Sequence, residues 1–305
     1  MVGTKPGAAS YQGDEGTENA TIMKRPNFFI LGAPKCGTTS LAHWLAEHPY
    51  VYLSPIKEPH YYCIDLANRN IQSPTHYKAL FRNAGEEHLA VGEASTWYLF
   101  SDEAVPAIEQ EPPEARYIVM TRDPISMAHS LHHHNLRVLH ENRSSFEEAW
   151  ALQRERAAGR DIPDSCTEPS FLQYKAACSL GSLLEKLYEQ VAKEKVLHIP
   201  LEHMQEDPAL EYQRVLNFLG VPDDGRQVFP VVNEARGYRS QLLQRLIRVG
   251  GRARLALGIY RGLGLARCNE RPEAKEELPE AFRDELKQAF AMERKKLKDL
   301  AAEGL

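Results

Sequence analysis

The sequence predicts an α/β protein with a doubly wound, mostly parallel central sheet flanked by helices. Short apolar runs alternate with helical patterns of ten or more residues, which is the signature of βαβ units. Clusters of polar residues fall at the carboxyl ends of the apolar runs, where such sheets bind ligands. The chain of 305 residues, 43% hydrophobic and 26% charged, is long enough to bury a core. One domain is expected over residues 27–305, preceded by a flexible arm at 1–26 rich in Gly, Ser, Thr and Glu.

The elements follow in order. Phe28-Phe29-Ile30-Leu31 is a continuous apolar run ending at Gly32 and reads as a buried strand. Thr38 to Glu47 carries Leu41, Trp44 and Leu45 at helical spacing. Val51-Tyr52-Leu53, Leu89 to Glu93 and Arg116 to Thr121 are the next strands. Pro124 stands where a helix would start, and Ile125 to Leu139 continues it. Val196 to Ile199 is a fifth strand, between helical patterns at Tyr174–Ala192 and Pro208–Leu219.

Composition excludes several classes. No apolar run approaches the roughly 18 residues of a membrane span, and residues 1–27 lack the apolar core of a secretory signal. Five scattered cysteines without a CxxC pair argue against a disulfide framework and a zinc site, and suggest a cytoplasmic protein. Lys plus Arg number 37 and Asp plus Glu 42, a net charge of −5. Arg236 to Arg267 holds eight arginines and no acid, so this stretch is +8 and the remainder −13. The segment is read either as a site for a local anionic ligand or surface, or as a solvated basic face, and not as general nucleic-acid binding.

The richest segment is Gly32-Ala33-Pro34-Lys35-Cys36-Gly37-Thr38-Thr39-Ser40, between the first strand and the first helix. A tight turn opening a helix gathers backbone N–H groups into an anion cradle, here with three hydroxyls and one ammonium. The loop is P-loop-like, yet the Lys-[Ser/Thr] that follows the second glycine of a Walker A motif is missing; the lysine is Lys35. A kinase or NTPase is thereby disfavoured. The plain alternative is a turn capped by Thr38 or Thr39. Cys36 is either a thiol with a lowered pKa or a small residue tolerated in the loop.

With Pro-Lys-Cys-Gly-Thr-Thr-Ser-Leu after the first strand, the chain resembles sulfotransferases that use 3′-phosphoadenosine-5′-phosphosulfate (PAPS), closest in motif to the bacterial and heparan-sulfate-type members. Lys57-Glu58-Pro59-His60-Tyr61-Tyr62, Gly92-Glu93-Ala94-Ser95-Thr96-Trp97-Tyr98 and Thr121-Arg122-Asp123-Pro124 with Ser130 are similar to further family segments, as are Glu202 to Pro208 and Asn217 to Gly220. The resemblance implies that Lys35, Cys36, Gly37, Thr38, Thr39 and Ser40 grip the 5′-phosphosulfate, and that Arg122 and Ser130 bind the 3′-phosphate. Ser130 lies roughly 12 Å along a helix from Arg122, less if the helix starts at Pro124.

Transfer of a sulfuryl group to a hydroxyl acceptor, leaving PAP, needs positioning, electrostatic stabilisation and a base, and no metal. Lys35 is the candidate to stabilise charge on the sulfuryl oxygens and the departing phosphate. Glu58 is the first candidate base and Glu93 the second. His60 is the third and is read mainly as packing or orienting Glu58. Ala94 stands where heparan-type relatives carry a lysine, which leaves open whether Lys57 replaces that charge.

A late basic loop is expected to close over the cofactor; Asn233 to Ser240, with Arg236 and Arg239, is the candidate, although the family's Arg-Lys-Gly is absent. Tyr174 is a candidate for stacking on adenine, since Leu180 occupies the place first expected to do so. The consecutive His132 to His134 point about 100° apart on a helix; His129 and His133 share a face at i, i+4 but have no carboxylate at HExxH spacing, and the helix is expected to line an acceptor pocket rather than hold a metal. The acceptor is expected to be a carbohydrate or a small-molecule alcohol, anionic and carrier-bound forms both being compatible with the arginines. A non-catalytic nucleotide-binding protein is the reading from a different class, and Lys35 together with Glu58 tells against it.

Overall fold

The computed structural model describes residues 24–111, 115–232, 236–238, 240, 243, 246–247, 249–250, 269–272 and 277–303. Most of the expected N-terminal arm, and every arginine of the basic segment except Arg236, lie outside the described residues.

The chain runs through β1 (Phe28–Gly32), α1 (Thr38–Ala46), β2 (Val51–Leu53), α2 (Pro74–Ala79), β3 (Ala90–Ala94), α3 (Ala104–Gln110), β4 (Arg116–Thr121) and α4 (Pro124–Arg137). It continues with α5 (Phe146–Ala151), α6 (Gln153–Ala157), α7 (Tyr174–Ala177), α8 (Leu180–Gln190), β5 (Val196–Pro200), α9 (Leu201–Glu206) and α10 (Pro208–Leu219). The last elements are β6 (Arg236–Tyr238), β7 (Glu270–Pro272), α11 (Glu280–Ala289) and α12 (Ala291–Glu303).

The central sheet has the order β2-β3-β1-β4-β5 with all pairs parallel. Each strand is joined to the next by a helical crossover. The chain leaves β1 toward one edge, returns as β3, and then builds the other side with β4 and β5. The carboxyl end of β1 is therefore the switch point, where a crevice opens.

β1 is apolar throughout because it is covered on both faces: Phe28, Phe29, Ile30 and Leu31 are fully buried. Phe29 meets the rings of Tyr62, Tyr98 and Tyr117, so one core side chain ties together the segments that follow β2, β3 and β1's other neighbour β4. Burying such a ring contributes about 1.5–3 kcal/mol.

Helix α4 starts as expected, with Pro124 in its first turn and Asp123 accepting the amide of Ser126 at 3.0 Å. Just beyond its end sits a buried ion pair. Arg156 donates to Glu141 at 2.6 and 2.7 Å, and Glu141 also accepts Tyr174 Oη and the amides of Asn142 and Arg143. The helical pattern at Tyr174–Ala192 is two helices, α7 and α8. The start of α8 is held by Glu293 of α12, whose carboxylate accepts both the amide and the hydroxyl of Ser182. No helix of the described residues is long and apolar enough to cross a membrane.

Removing one partner of a fully desolvated pair leaves an uncompensated charge. Glu141→Gln is expected to cost about 3–5 kcal/mol in denaturant unfolding. An apolar replacement of Glu141 and Arg156 together should cost less than either single change.

Candidate active site

The loop after β1 passes closely between its neighbours. Gly32 has φ 137°, and a Cβ there would lie 2.3 Å from the carbonyl oxygen of Thr96. On the other side Ala33 N–H donates to Met120 O at 2.7 Å. The loop then turns through Lys35 at φ 66° and reaches α1 at Gly37, φ 87°. Gly37 is the N-cap residue and brings no side chain to the helix end, so neither Thr38 nor Thr39 caps it. The first amides of α1 are left as donors for an outside acceptor.

Two loop residues differ from expectation in what their side chains do. The hydroxyl of Ser40 faces away toward the late segment, accepting Val232 N–H at 3.0 Å. The thiol of Cys36 is buried against Pro34 O and Met127 Sδ, and burial pushes it up to about 12. Cys36 is thus the small tolerated residue, not an activated thiol. Thr38 is buried and Thr39 half-buried at the helix start.

Charge converges on Lys35. Burial, then Arg137, push its ammonium down to about 8, with Arg122 and Lys57 adding to the effect and Glu58 opposing it. Glu58 follows β2 in a turn of left-handed backbone, φ 64° at Glu58 and 48° at His60. Its Oε1 accepts Lys57 Nζ at 2.6 Å and Thr96 Oγ1 at 3.2 Å. Burial would raise its pKa, but Lys57, His60 and His134 hold it at about 2. Glu58 is an ionised carboxylate throughout the neutral range.

Arg122 points into the loop and not at its neighbour Asp123. Its Nη1 donates to Lys35 O at 3.0 Å, and its Nε is buried without a protein partner among the described residues. Asp123 instead pairs with Arg294 of α12 at 3.1 Å. Ser130 is half-buried on α4, six residues or about 9 Å of axis beyond Pro124.

Glu93 and His60 lie deeper. Glu93 is fully buried at the end of β3, where it accepts Ser95 Oγ at 2.6 Å, Tyr98 Oη at 2.7 Å and Tyr77 Oη at 2.9 Å. Burial raises it to about 7 against those three hydroxyls. Sealed in this way, it offers no oxygen to an acceptor. His60 is also buried, with Nδ1 beside Asn68 Nδ2 at 3.3 Å and Nε2 unpartnered among the described residues; burial lowers its pKa to about 4.

A sequence profile of the sulfotransferase family matches residues 26–225. The chain belongs to that family. A solved sulfotransferase from Alicyclobacillus acidocaldarius superposes with TM-score 0.60 at 29% identity, over 80% of this chain and 99% of that one. Carbohydrate sulfotransferase 15 of Rattus norvegicus is 29% identical over 34% of this chain and 26% of its own length. Membrane-associated sulfotransferase kil1 of Dictyostelium discoideum is 28% identical over 54% of this chain and 34% of its own. The chain thus spans about a quarter to a third of these curated relatives.

The sulfotransferase site also contains Arg137, which the sequence did not single out. Arg137 ends α4 and is the charge that most affects Lys35. It donates to His134 Nδ1 at 3.2 Å, which leaves the imidazole proton on Nε2. Burial, Lys35 and Arg137 keep His134 neutral. The signal was a polar stripe: Ser130, His134 and Arg137 are spaced i, i+4, i+7 on one helix face. The other histidines turn elsewhere, His132 to Arg143 O and His133 to His129. Among the described residues no three His, Cys, Asp or Glu side chains are grouped to hold a metal ion.

Tyr174 is no stacking platform, because it is fully buried and donates to Glu141 at 2.9 Å; Leu180 is equally buried. Of the expected closing loop Asn233–Ser240, residues 233–235 and Arg239 lie outside the described residues. The backbone of β6, which includes Arg236, lies beside α4 and pairs antiparallel with β7.

These environments predict opposite reactivities for neighbours in one loop. At pH 8 about half of Lys35 is neutral, against well under about 1% of a lysine at the ordinary 10.5. Limited acylation at that pH followed by peptide mass mapping should find Lys35 among the first lysines modified. Cys36 should resist iodoacetamide until the protein unfolds.

Proposed function

We propose that this sulfotransferase takes its sulfuryl group from PAPS and passes it to a hydroxyl acceptor, leaving PAP and a sulfate ester. The observation that carries the proposal is the surplus of cations, Lys35, Lys57, Arg122 and Arg137, gathered with the carboxylate Glu58 around an uncapped helix start. Such a constellation fits a ligand with several negative charges. The buried Arg122 Nε, without a protein partner among the described residues, fits the same ligand.

In this scheme the amides after Gly37, with Thr38 and Thr39, and the ammonium of Lys35 hold the 5′-phosphosulfate. Cys36 contributes backbone only, and Ser40 braces the helix from behind. Arg122 and Ser130 hold the 3′-phosphate. PAPS supplies, when bound, an activated sulfuryl group on a phosphate leaving group. Lys35 stabilises the negative charge that grows there.

Glu58 receives the proton of the acceptor hydroxyl. Its Oε1 is occupied by Lys57 and Thr96, whereas Oε2 has no protein donor among the described residues and is the atom available for that proton. Lys57 supplies a cation beside the base where Ala94 supplies none. Thr96 fixes the carboxylate's orientation.

The acceptor proposed is a carbohydrate hydroxyl, in keeping with the carbohydrate sulfotransferases among the relatives; a small-molecule alcohol is the second candidate. Arg137 beside Lys35 favours an acceptor that itself carries an anionic group. A reducing, cytoplasmic site of action is also proposed, supported by Cys36, Cys63, Cys166 and Cys178 standing as free thiols.

Thermal unfolding with PAP and with ATP plus Mg²⁺ tests the donor. At about 100 times its Kd, PAP should add about 2.7 kcal/mol and raise Tm by several degrees, with no response to ATP. A response to ATP–Mg²⁺ alone would move the protein to the kinases. Glu58→Gln should abolish PAP release from PAPS while PAP binding, followed by calorimetry, stays near wild type. Loss of both together would remove Glu58 from the role of base.

A further inference from the structure

The turn Glu58–Tyr62 carries the proposed base in a backbone that does not hold itself. Glu58 and His60 both have positive φ without being glycine, a conformation that persists only where the surroundings impose it. Every second amide of the turn donates to the last residue of β3 or to the segment that follows it. Glu58 N–H bonds Ala94 O at 2.8 Å, His60 N–H bonds Ser95 Oγ at 3.0 Å, and Tyr62 N–H bonds Tyr98 Oη at 3.3 Å.

Two of these three acceptors are hydroxyls, and a hydroxyl has one proton and two lone pairs to aim. Both protons go to the same place: Ser95 Oγ donates to Glu93 Oε2 at 2.6 Å and Tyr98 Oη to Glu93 Oε1 at 2.7 Å. Accepting both protons, the carboxylate leaves each hydroxyl oxygen with lone pairs facing the turn. Bonds to a carboxylate are short and strong, and they polarise the next bond in the chain.

We propose that Glu93 is a positioning residue for sulfuryl transfer: through Ser95 and Tyr98 it fixes the backbone of the Glu58–Tyr62 turn and so the place of Glu58 beside Lys35. Glu93 touches no reacting atom, since it is fully buried behind those hydroxyls. The proposal rests on Glu58 acting as the base. From the outer side the turn is braced independently, by Asn70 Nδ2 on Glu58 O at 2.7 Å and Arg69 Nε on Tyr61 O at 2.9 Å. Loss of Glu93 should therefore loosen the turn without unfolding it.

The test compares Glu93→Gln, Ser95→Ala and Tyr77→Phe with wild type in the full chain. Glutamine keeps the shape but puts an NH2 donor in place of one carboxylate oxygen, so it cannot accept Ser95 on one side and Tyr98 on the other at once. Tyr77→Phe removes the third hydroxyl on Glu93, which bonds no amide of the turn and meets it only at the rings of Tyr61 and Tyr62, so the backbone path stays whole. PAP release from PAPS, with an acceptor that wild type uses, should show kcat down about ten- to hundredfold in Glu93→Gln. The KM for PAPS and the Kd for PAP should change by less than about twofold, and adding Ser95→Ala to Glu93→Gln should cost little more, because both cut one path. Tyr77→Phe should keep the wild-type kcat.

A second readout needs no acceptor. The His60 imidazole, assigned in NMR spectra by its loss in His60→Gln, should stay neutral to about pH 4 in wild type and titrate nearer the ordinary 6.5 in Glu93→Gln and Ser95→Ala. Wild-type titration of His60 in both variants would overturn the proposal, as would an equal loss of kcat in Tyr77→Phe. A wild type that neither binds PAP nor turns over PAPS would instead sink the donor assignment, with the His60 readout still reporting on Glu93.

Discussion

A backbone-to-backbone approach at the end of β1 sets the geometry of everything around it. With no side chain at Gly32, the chain passes against the carbonyl of Thr96 and then bonds Met120 O through Ala33. The loop is thereby fixed between the carboxyl ends of β3 and β4, the two strands that flank β1. Lys35 is delivered to a place that Arg122 reaches from β4's end and Thr96 from β3's. Through its hydroxyl Thr96 also touches Glu58. A side chain at Gly32 would separate the strands' ends and scatter all four groups.

Electrostatics then divides the labour among chemically similar residues. Two glutamates at strand ends meet opposite fates. Glu58, with Lys57 at 2.6 Å, is held low and stays charged. Glu93, walled in by tyrosines and Ser95, is raised by burial and is committed to three hydroxyls. The cations show the same effect. Crowding and burial bring Lys35 toward neutrality, so an arriving anion relieves a repulsion as well as gaining an attraction.

Backbone strain marks the same place. Among the described residues five non-glycine positions have positive φ, and Lys35, Glu58 and His60 are three of them. Such conformations are costly and need an over-determined surrounding to persist. The buried Phe29 cluster beneath the turn and the bonds to Ser95, Tyr98 and Asn70 supply it.

The amino-acid sequence by itself determined the alternation of strands and helices, the limits of β4 and α10, the start of α4 and the tight loop that carries Lys35 from β1 to α1. These depend on local periodicity, on proline and glycine geometry and on residues a few positions apart. Tertiary structure alone decided where side chains point. Ser40 turns to Val232 across 192 residues of chain, Arg122 finds Lys35 O across 87, and Glu293 reaches Ser182 across 111 to begin a helix that periodicity merged with its neighbour. Tyr174 and Glu93 had the right residue types for a site, but burial gave them interior partners. Arg137 joined Lys35 because α4 lies across the loop. Solvent exposure and charge neighbourhood are properties of the packed molecule, and they separate the charged Glu58 from the enclosed Glu93.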